Sequence, residues 1–399
     1  MKILVIHNRY QQRGGEDRVV DAEIALLLRH GHDVRTLIED NRDSAALSSL
    51  QQATELIWSR QAGAEVRALC QQWRPDVAHV HNTFARLSPA VLWAAHGAGV
   101  PVVQTLHNQR LQCLNAMLLR EGRPCTDCVG RLPWRGVIYR CYRGSALHSA
   151  ALASHIVVHR ALGSHLRCVA RFIALSQHAR AQLIEGGLPA ERIVVKPNFA
   201  ADPGESAISQ SARTGLLFVG RLSEEKGLAW LMQASAKAQC RVTVIGSGPM
   251  AAACQAHPWF DCQGEQAPEQ VQQAMLKARA LLMPSLSYEA MPRVLVEAFA
   301  CGLPVLASRL GALAELITHG GDGWGVVPGD VAALAAAMID AQAAADLHPS
   351  SPSRWAGMAH QARQTYLSNY TPEIAHRQLL QVYDQAIAAT VSAPRTPTR

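Results

Sequence analysis

The 399-residue chain has no apolar run long enough to span a bilayer. The longest uncharged stretch near the ~20 residues a membrane helix needs is Gly144 to His159, and it contains serine and three histidines. A secretory leader is not expected either, because Met1-Lys2 is followed by only four apolar residues, Ile3 to Ile6, before the polar His7-Asn8-Arg9. The chain is too long to need disulfide staples, so its ten cysteines are read as mostly reduced, which fits the cytoplasm. Acidic residues are nearly missing from one region. Residues 110–171 hold 10 basic and 2 acidic side chains, whereas residues 1–109 balance and residues 172–399 stand at −1. One segment therefore carries the whole formal charge of +7, and it asks for an anionic partner.

Apolar residues make up 49% of the chain, which excludes wholesale disorder and supplies a sizeable core. At ~150 residues per domain, two domains are expected. Short apolar runs alternate with helical patterns. Ile3–Ile6, Val34–Ile38, Val77–Val80, Pro101–Leu106 and Phe172–Leu175 read as strands. Between the first two lies a helix from about Glu16 to His30, with Gly31 as a left-handed cap. The alternation breaks at Lys196-Pro197-Asn198 and a polar stretch follows, so a linker is expected over 198–214. It restarts with strands at Leu216–Val219, Val242–Ile245, Leu281–Met283 and Pro304–Ala307. The helices expected among them are Leu228–Ala236, Pro268–Ala278, Arg293–Ala300 and Val331–Ala344. The reading is α/β: two doubly wound, Rossmann-like domains over 1–197 and 215–371, each a parallel sheet covered on both faces. A helix over 372–390 is expected to pack back on the first domain, and 391–399 to be a disordered tail.

In such sheets ligands lie beyond the carboxyl ends of the strands, so the site chemistry is expected there. Phe218-Val219-Gly220-Arg221-Leu222 ends a strand, and Lys226-Gly227 opens the next helix; fixed cations at a helix amino end suit a diphosphate. An ordinary basic loop is the plainer reading of that piece alone. Gly246 and Gly248 follow the next strand and let backbone approach a ligand, or serve only a tight turn. The sharpest stretch runs from Pro284 to Pro304, with Glu289 in a loop and Glu297 eight positions on, on a helix whose Val294, Leu295 and Ala298 are expected to face inward. A carboxylate leaning into such a site needs partners, and sugar hydroxyls are suitable donors. In the first half, Gly14-Gly15 precedes a helix, and the strand Val102–Leu106 delivers His107; His79 and His81 on the neighbouring strand read better as satisfied core residues.

Together these pieces resemble the family 4 glycosyltransferases, the large retaining group with the two-domain GT-B fold. The resemblance covers about Lys2 to Ala389 and rests on Arg221, Lys226-Gly227, the Glu-x7-Glu of Glu289 and Glu297, and Ala298-Phe299-Ala300-Cys301-Gly302-Leu303-Pro304-Val305 in the family's order and spacing. It implies two Rossmann-like domains facing a central cleft, with acceptor bound by the first and nucleotide-sugar by the second. It implies that Arg221 and Lys226 hold the donor diphosphate, Glu289 the donor sugar and Glu297 the ribose. Gly15, Gly220, Gly246, Gly248, Ala290, Met291 and Val294 would lie against the donor, and His107 beside the donor sugar. Where the family commonly has glycine after the first glutamate, this chain has Ala290. No divalent ion is implied for catalysis, because the cationic side chains take its place. The implied activity is retaining, hexosyltransferase-like transfer to a saccharide or polyprenyl-diphosphate-linked acceptor in polysaccharide or glycolipid biosynthesis. A nucleotide-sugar epimerase of the same fold, or a non-catalytic nucleotide-sugar-binding scaffold, is the alternative.

The segment 109–145 reads as an insertion. Cys113, Cys125, Cys128 and Cys141, spaced Cys-x11-Cys-x2-Cys-x12-Cys, are candidate ligands of a structural zinc. Arginines there interleave with Trp134, Tyr139 and Tyr142. That mixture fits peripheral association with an anionic inner membrane face, or a lipid-diphosphate acceptor, better than nucleic acid.

Overall fold

The structure, a computed structural model, describes residues 1–12, 14–42, 49–204, 213–343 and 354–392. The chain divides into two compact units, one made of residues 1–117, 126–197 and 375–399, the other of residues 118–125 and 198–374.

The first unit is built on a six-stranded sheet in the order Asp33–Asp40, Lys2–Arg9, Val77–Val80, Val102–Leu106, Arg171–Ala174, Ile193–Val195, every neighbouring pair parallel. Both faces are covered, which is why these strands read as continuous apolar runs instead of alternating ones. Successive residues of the first strand enter two different cores. Ile3 and Val5 pack with Val77, Val103 and Ile173 on one face. Leu4 and Ile6 pack with Val80, Val102 and Phe172 on the other. The first of these cores is closed by the last helix, Pro372–Ser392, through Leu379, Val382, Tyr383 and Ala386 at the spacing of one helix face. Burying Leu379 and Val382 contributes about 1.5–3 kcal/mol each, enough to tie a sequence-distant helix to this sheet. That helix takes in Val391 and Ser392, the start of the expected tail; 393–399 lie outside the described residues.

The second unit repeats the architecture with the strand order Phe260–Gly264, Val242–Ile245, Leu216–Val219, Ala280–Met283, Val305–Ser308, Gly323–Val326, again all parallel. Its core is apolar and tryptophan-rich, with Trp230, Trp324 and Trp355 buried together. The helix from Arg293 to Ala300 buries Leu295, Val296, Ala298 and Phe299. Val294 is not on that inward face as its pattern had implied; it is partly exposed, on the side of the helix that also carries Glu297.

The stretch expected as a linker, 198–214, is anchored at both ends. Asn198, Phe199 and Ala200 are buried, and Arg213 is buried with its guanidinium donating to the carbonyl oxygens of Cys301, at 2.7 Å, and Gly302. Residues 205–212 lie outside the described ones. The insertion is mostly turns, with a two-stranded ribbon at Leu119–Arg120 and Arg123–Pro124 and a short helix at Trp134–Ile138. It has a small core of its own: Leu114, Val137, Cys141 and Tyr142 pack on Leu152 and Ile156 of the helix Ala146–Leu162.

Candidate active site

In the second unit the strand order reverses between Leu216–Val219 and Ala280–Met283, so the loops leaving these adjacent strands open a crevice at their carboxyl ends. The loops are locked to each other. Leu286 N donates to Glu225 O at 2.8 Å. Gly227, at φ +74°, caps the helix Leu228–Ala238 in a left-handed conformation, and a Cβ there would overlap the Pro284 carbonyl oxygen. This clamp brings together Lys226 and Glu289, 63 residues apart: Lys226 Nζ donates to Glu289 Oε1 at 2.6 Å. Ser285 Oγ donates to the same oxygen at 2.8 Å. Both bonds fall on Oε1, which leaves Oε2 for another donor.

Glu297 lies one loop further on and pairs with Arg293 across one helical turn, Nε to Oε1, at 2.8 Å. Arg221 is exposed just after the strand. Gly220, Gly246 and Gly248 form a backbone stack. Gly246, at φ +143°, sits where a Cβ would overlap the Gly220 carbonyl oxygen, and Leu222 N donates to Ser247 O at 2.8 Å. Gly246 and Gly248 are thus required by the chain's own loop packing, whatever approaches from outside. Ala290 is partly exposed beside Glu289. The Met291 side chain is buried, its sulfur accepting from Asn198 N at 3.2 Å and its carbonyl oxygen from Asn198 Nδ2 at 2.8 Å.

In the first unit, Gly14 caps the helix Gly15–Arg29, and Gly15 is exposed at its first turn. Glu16 accepts from Tyr10 Oη at 2.9 Å and from Asn108 Nδ2 at 3.3 Å, which ties this turn to the residue after His107. Burial first, and then the Glu16 carboxylate, push the Tyr10 hydroxyl well above its ordinary value. Asp17 is buried. Its burial would raise the carboxyl, but bonds from His7 and the Gly14 amide outweigh that and hold it low.

His107 is partly exposed at the strand end and lines a cavity with Glu16, His81, Gln104, Asn108, Arg110 and the histidines 155, 159 and 165. Its Nε2 lies 3.0 Å from His81 Nδ1. Behind them is a buried polar network that no local motif announced. Lys196 Nζ donates to Glu23 Oε1, Glu23 Oε2 lies 3.5 Å from His81 Nε2, and His79 bonds Tyr383 Oη at 2.8 Å and Thr105 Oγ1 at 2.7 Å. Burial holds His79 down at about 4 and His81 well below its ordinary value. His107 is likewise lowered, chiefly by burial, with Glu16 and Glu23 opposing. Glu23 would be raised by burial, but Lys196 and His79 keep it low and ionised.

Two places carry residue types that bind metal. Among the described residues, the group of three His, Cys, Asp or Glu side chains whose ligand atoms gather within 4.8 Å is Glu23, His79 and His81. The Lys196 ammonium already occupies that carboxylate, and both His79 nitrogens are taken, so a second cation does not fit. The expected zinc site of Cys113, Cys125, Cys128 and Cys141 is not supported. These cysteines form no part of that group, Cys141 packs in the insertion's small core, and Cys113 Sγ donates to Asn115 Oδ1.

The comparisons with known proteins point one way. Residues 13–200 match the family model "Glycosyltransferase Family 4", and residues 213–343 match "Glycosyl transferases group 1". The chain is 31% identical to the amylovoran biosynthesis glycosyltransferase AmsK of Erwinia amylovora, over 51% of this chain and 53% of that protein, so the match spans about half of the relative's length. Solved structures of HepE from Anabaena in complex with UDP, at TM-score 0.66 and 18% identity, cover 96% of this chain and 100% of that one. Sucrose-phosphate synthase from Thermosynechococcus elongatus, at TM-score 0.71 and 17% identity, covers 98% of this chain and 100% of that one. At such identities the structures establish a shared GT-B fold. Matched by family models over both halves in chain order, the chain belongs to the family 4 glycosyltransferases.

Proposed function

We propose that the protein is a retaining, hexosyltransferase-like enzyme. It moves a sugar from a nucleotide-sugar donor to a saccharide or lipid-linked acceptor in cell-surface polysaccharide or glycolipid biosynthesis. The observation that carries this reading is the Lys226–Glu289 pair at the strand-order reversal, 2.6 Å apart, with Glu297 on the following helix. AmsK's name, an amylovoran biosynthesis glycosyltransferase, and the UDP bound by HepE support it.

Lys226 has three donors and uses one on Glu289; the others, with exposed Arg221, face the donor diphosphate. Glu289 is held by Lys226 and Ser285 through Oε1 and takes sugar hydroxyls on Oε2. Glu297, kept in place by Arg293, takes the ribose hydroxyls, with Val294 beside it. In the reaction the bond between the anomeric carbon and the phosphate oxygen breaks and negative charge grows on the departing diphosphate. Fixed cations at Lys226 and Arg221 stabilise that charge where it develops. The acceptor hydroxyl attacks from the same face, and its proton passes to the leaving phosphate oxygen, so the configuration is retained. His107 positions the donor sugar.

The insertion supplies the acceptor side of the reading. Leu132, Trp134, Ile138, Tyr139 and Leu147 are exposed, Ile138 at 63% and Leu147 at 78%, among exposed Arg131, Arg135, Arg140 and Arg143. Arginines lie over the rings of Trp134 and Tyr142. Apolar tips surrounded by guanidinium groups suit an anionic bilayer surface carrying a lipid-diphosphate acceptor. No helix among the described residues is long and apolar enough to cross a membrane, so the association proposed is peripheral, at the cytoplasmic face.

The test is a thermal-shift screen with UDP-, GDP- and ADP-sugars, followed by the anomeric configuration of the product by NMR. One nucleotide should raise the melting temperature, the rise should vanish in Glu297→Ala, and the donor's anomeric configuration should persist. An inverted product overturns retention; no shift and no turnover with any donor overturn the transferase reading.

A further inference from the structure

The buried network behind His107 has a direction, and it reaches the site. Lys196 and Glu23 are each almost fully buried, at 2% and 3% exposure, although they come from the end of one strand and the middle of the first helix. Their pairing keeps Glu23 an acceptor, and its second oxygen, Oε2, lies 3.5 Å from His81 Nε2. Neither atom makes a hydrogen bond among the described residues, so the contact is electrostatic only, and it favours one tautomer over the other. A lone pair on His81 Nε2 would face a carboxylate oxygen in a dry interior, whereas an N–H there is attracted to it. The proton of a neutral His81 therefore sits on Nε2. Its Nδ1 is left as a lone pair, 3.0 Å from His107 Nε2, which must then carry the hydrogen. A charged His81 is disfavoured by its burial and by the neighbouring histidines and Lys196.

We infer that Glu23 and His81 fix the tautomer of His107, so that His107 holds its proton on Nε2 and offers an unprotonated Nδ1 to a hydroxyl of the bound sugar. His107 thus acts as an acceptor of a ligand's hydrogen bond and not as a donor. Glu23 and His81 are positioning residues, since each acts through the next. The ligand class rests on the proposal that His107 lies against the donor sugar; the tautomer itself rests on the Glu23–His81–His107 geometry with a neutral, buried His81. Among the described residues Nδ1 of His107 has no protein partner, and the ring lines the cavity. The geometry also disfavours the mirror arrangement, with His107 donating from Nδ1, because that would turn the His81 lone pair onto Glu23.

The test is a long-range proton–nitrogen spectrum of the full chain labelled at histidine, with His107 assigned by its loss in His107→Gln. At neutral pH, Nδ1 of His107 should show a pyridine-type shift and Nε2 a pyrrole-type shift. In His81→Phe, which fills the space without a nitrogen, the two should move toward the averaged values of a mixed tautomer. Glu23→Gln combined with Lys196→Met removes both charges together and should weaken the preference without leaving an unpaired buried ion. Should neither variant fold, the wild-type spectrum alone decides. A pyrrole-type Nδ1 in the wild type, or an unchanged pattern in a folded His81→Phe, overturns the inference. With a turning-over donor, His81→Phe should raise donor KM by about two- to tenfold, the worth of one neutral hydrogen bond, with kcat nearly unchanged. The spectrum reads the histidine whether or not sugar is transferred, so this inference and the proposed function fail separately.

Discussion

The two units present charge in opposite ways. In the second, the ionised side chains of the candidate site are partly exposed: Lys226 and Glu289 at 29% and 14%, Arg293 and Glu297 at 24% and 28%. In the first, the corresponding groups are sealed away, with Lys196 and Glu23 paired behind a row of histidines, and the buried histidines of the described residues, His7, His79, His81, His155 and His159, all lie in this unit. The difference separates two tasks. Exposed cations at the carboxyl ends of strands can meet a ligand's charge directly. A buried ion pair and neutral imidazoles cannot, but they set proton positions and stiffen the wall behind a site. Charge in the second unit should therefore matter mainly to activity, and charge in the first mainly to stability.

The sharpest way to break this contrast is at Lys226 and Glu289. Lys226→Ala and Glu289→Ala should each lower kcat/KM for sugar transfer by about 10²–10³-fold, the scale of removing one preorganised charge from a transition state. The melting temperature should scarcely move, because a partly solvated pair contributes at most about 1 kcal/mol. Unchanged turnover in both variants, or a large loss of stability, would remove the distinction for this unit. On the other side, Lys196→Ala should leave Glu23 buried without its counter-ion and cost about 3–5 kcal/mol of stability, read by chemical denaturation. The double substitution Glu23→Leu with Lys196→Met should recover most of that loss. A Lys196→Ala chain as stable as the parent would show that the pair is not structurally required.

How much of this was legible beforehand follows the same divide. The second unit's site lies on short sequence intervals: Glu-x7-Glu, and an arginine and lysine five residues apart at one strand end. The periodicity that placed Leu216–Val219 and Arg293–Ala300 also put those groups at the right edge of the sheet. Even there Val294 was misplaced, and the burial of the Met291 side chain was not foreseen. An eight-residue helix with apolar neighbours on two sides does not say which face is inward, and Met291 is buried by Asn198, 93 residues away. The first unit's network spans helix, strands and the last helix, with 173 residues between Lys196 and Glu23 and 304 between His79 and Tyr383. No local pattern encodes such contacts. Lys196 itself read only as the start of a break in the alternation, because lysine before proline and asparagine is ordinary loop chemistry. Cysteine spacing misled in the opposite sense: a Cys-x2-Cys with two flanking cysteines fits zinc on paper, but spacing alone does not bring four sulfurs to one point.

Acidification separates the units more gently. Burial holds His79 and His155 at about 4, below the ordinary value of 6.5. These groups stay neutral in the folded chain while the unfolded chain takes up protons. Their contribution to stability is therefore complete above pH 6.5 and lost as pH falls toward 4. Each adds a slope of at most about 1.4 kcal/mol per pH unit in that window. Calorimetry from pH 7.5 to 4.5 should show the transition of the first unit falling faster than the transition that a bound nucleotide raises. Equal slopes for both would mean that the buried histidines do not control acid stability.

The smallest effect is expected where the second unit's charge merely steadies another charge. Arg293 and Glu297 stand four residues apart on one helix, both partly exposed, a geometry worth only about 0.2–0.5 kcal/mol in isolation. Arg293→Gln should leave melting unchanged within error and weaken nucleotide binding by no more than about threefold, because the amide can still support the carboxylate. Glu297→Ala, which removes the acceptor of the ribose hydroxyls, should weaken it by at least tenfold in the same calorimetric titration, since donors on the ligand lose their charged partner. If Arg293→Gln proves the more damaging of the two, the ligand reads the guanidinium and not the carboxylate. Arg293 would then join Arg221 and Lys226 as a phosphate contact, and the second unit's exposed charge would be almost entirely a device for binding anions.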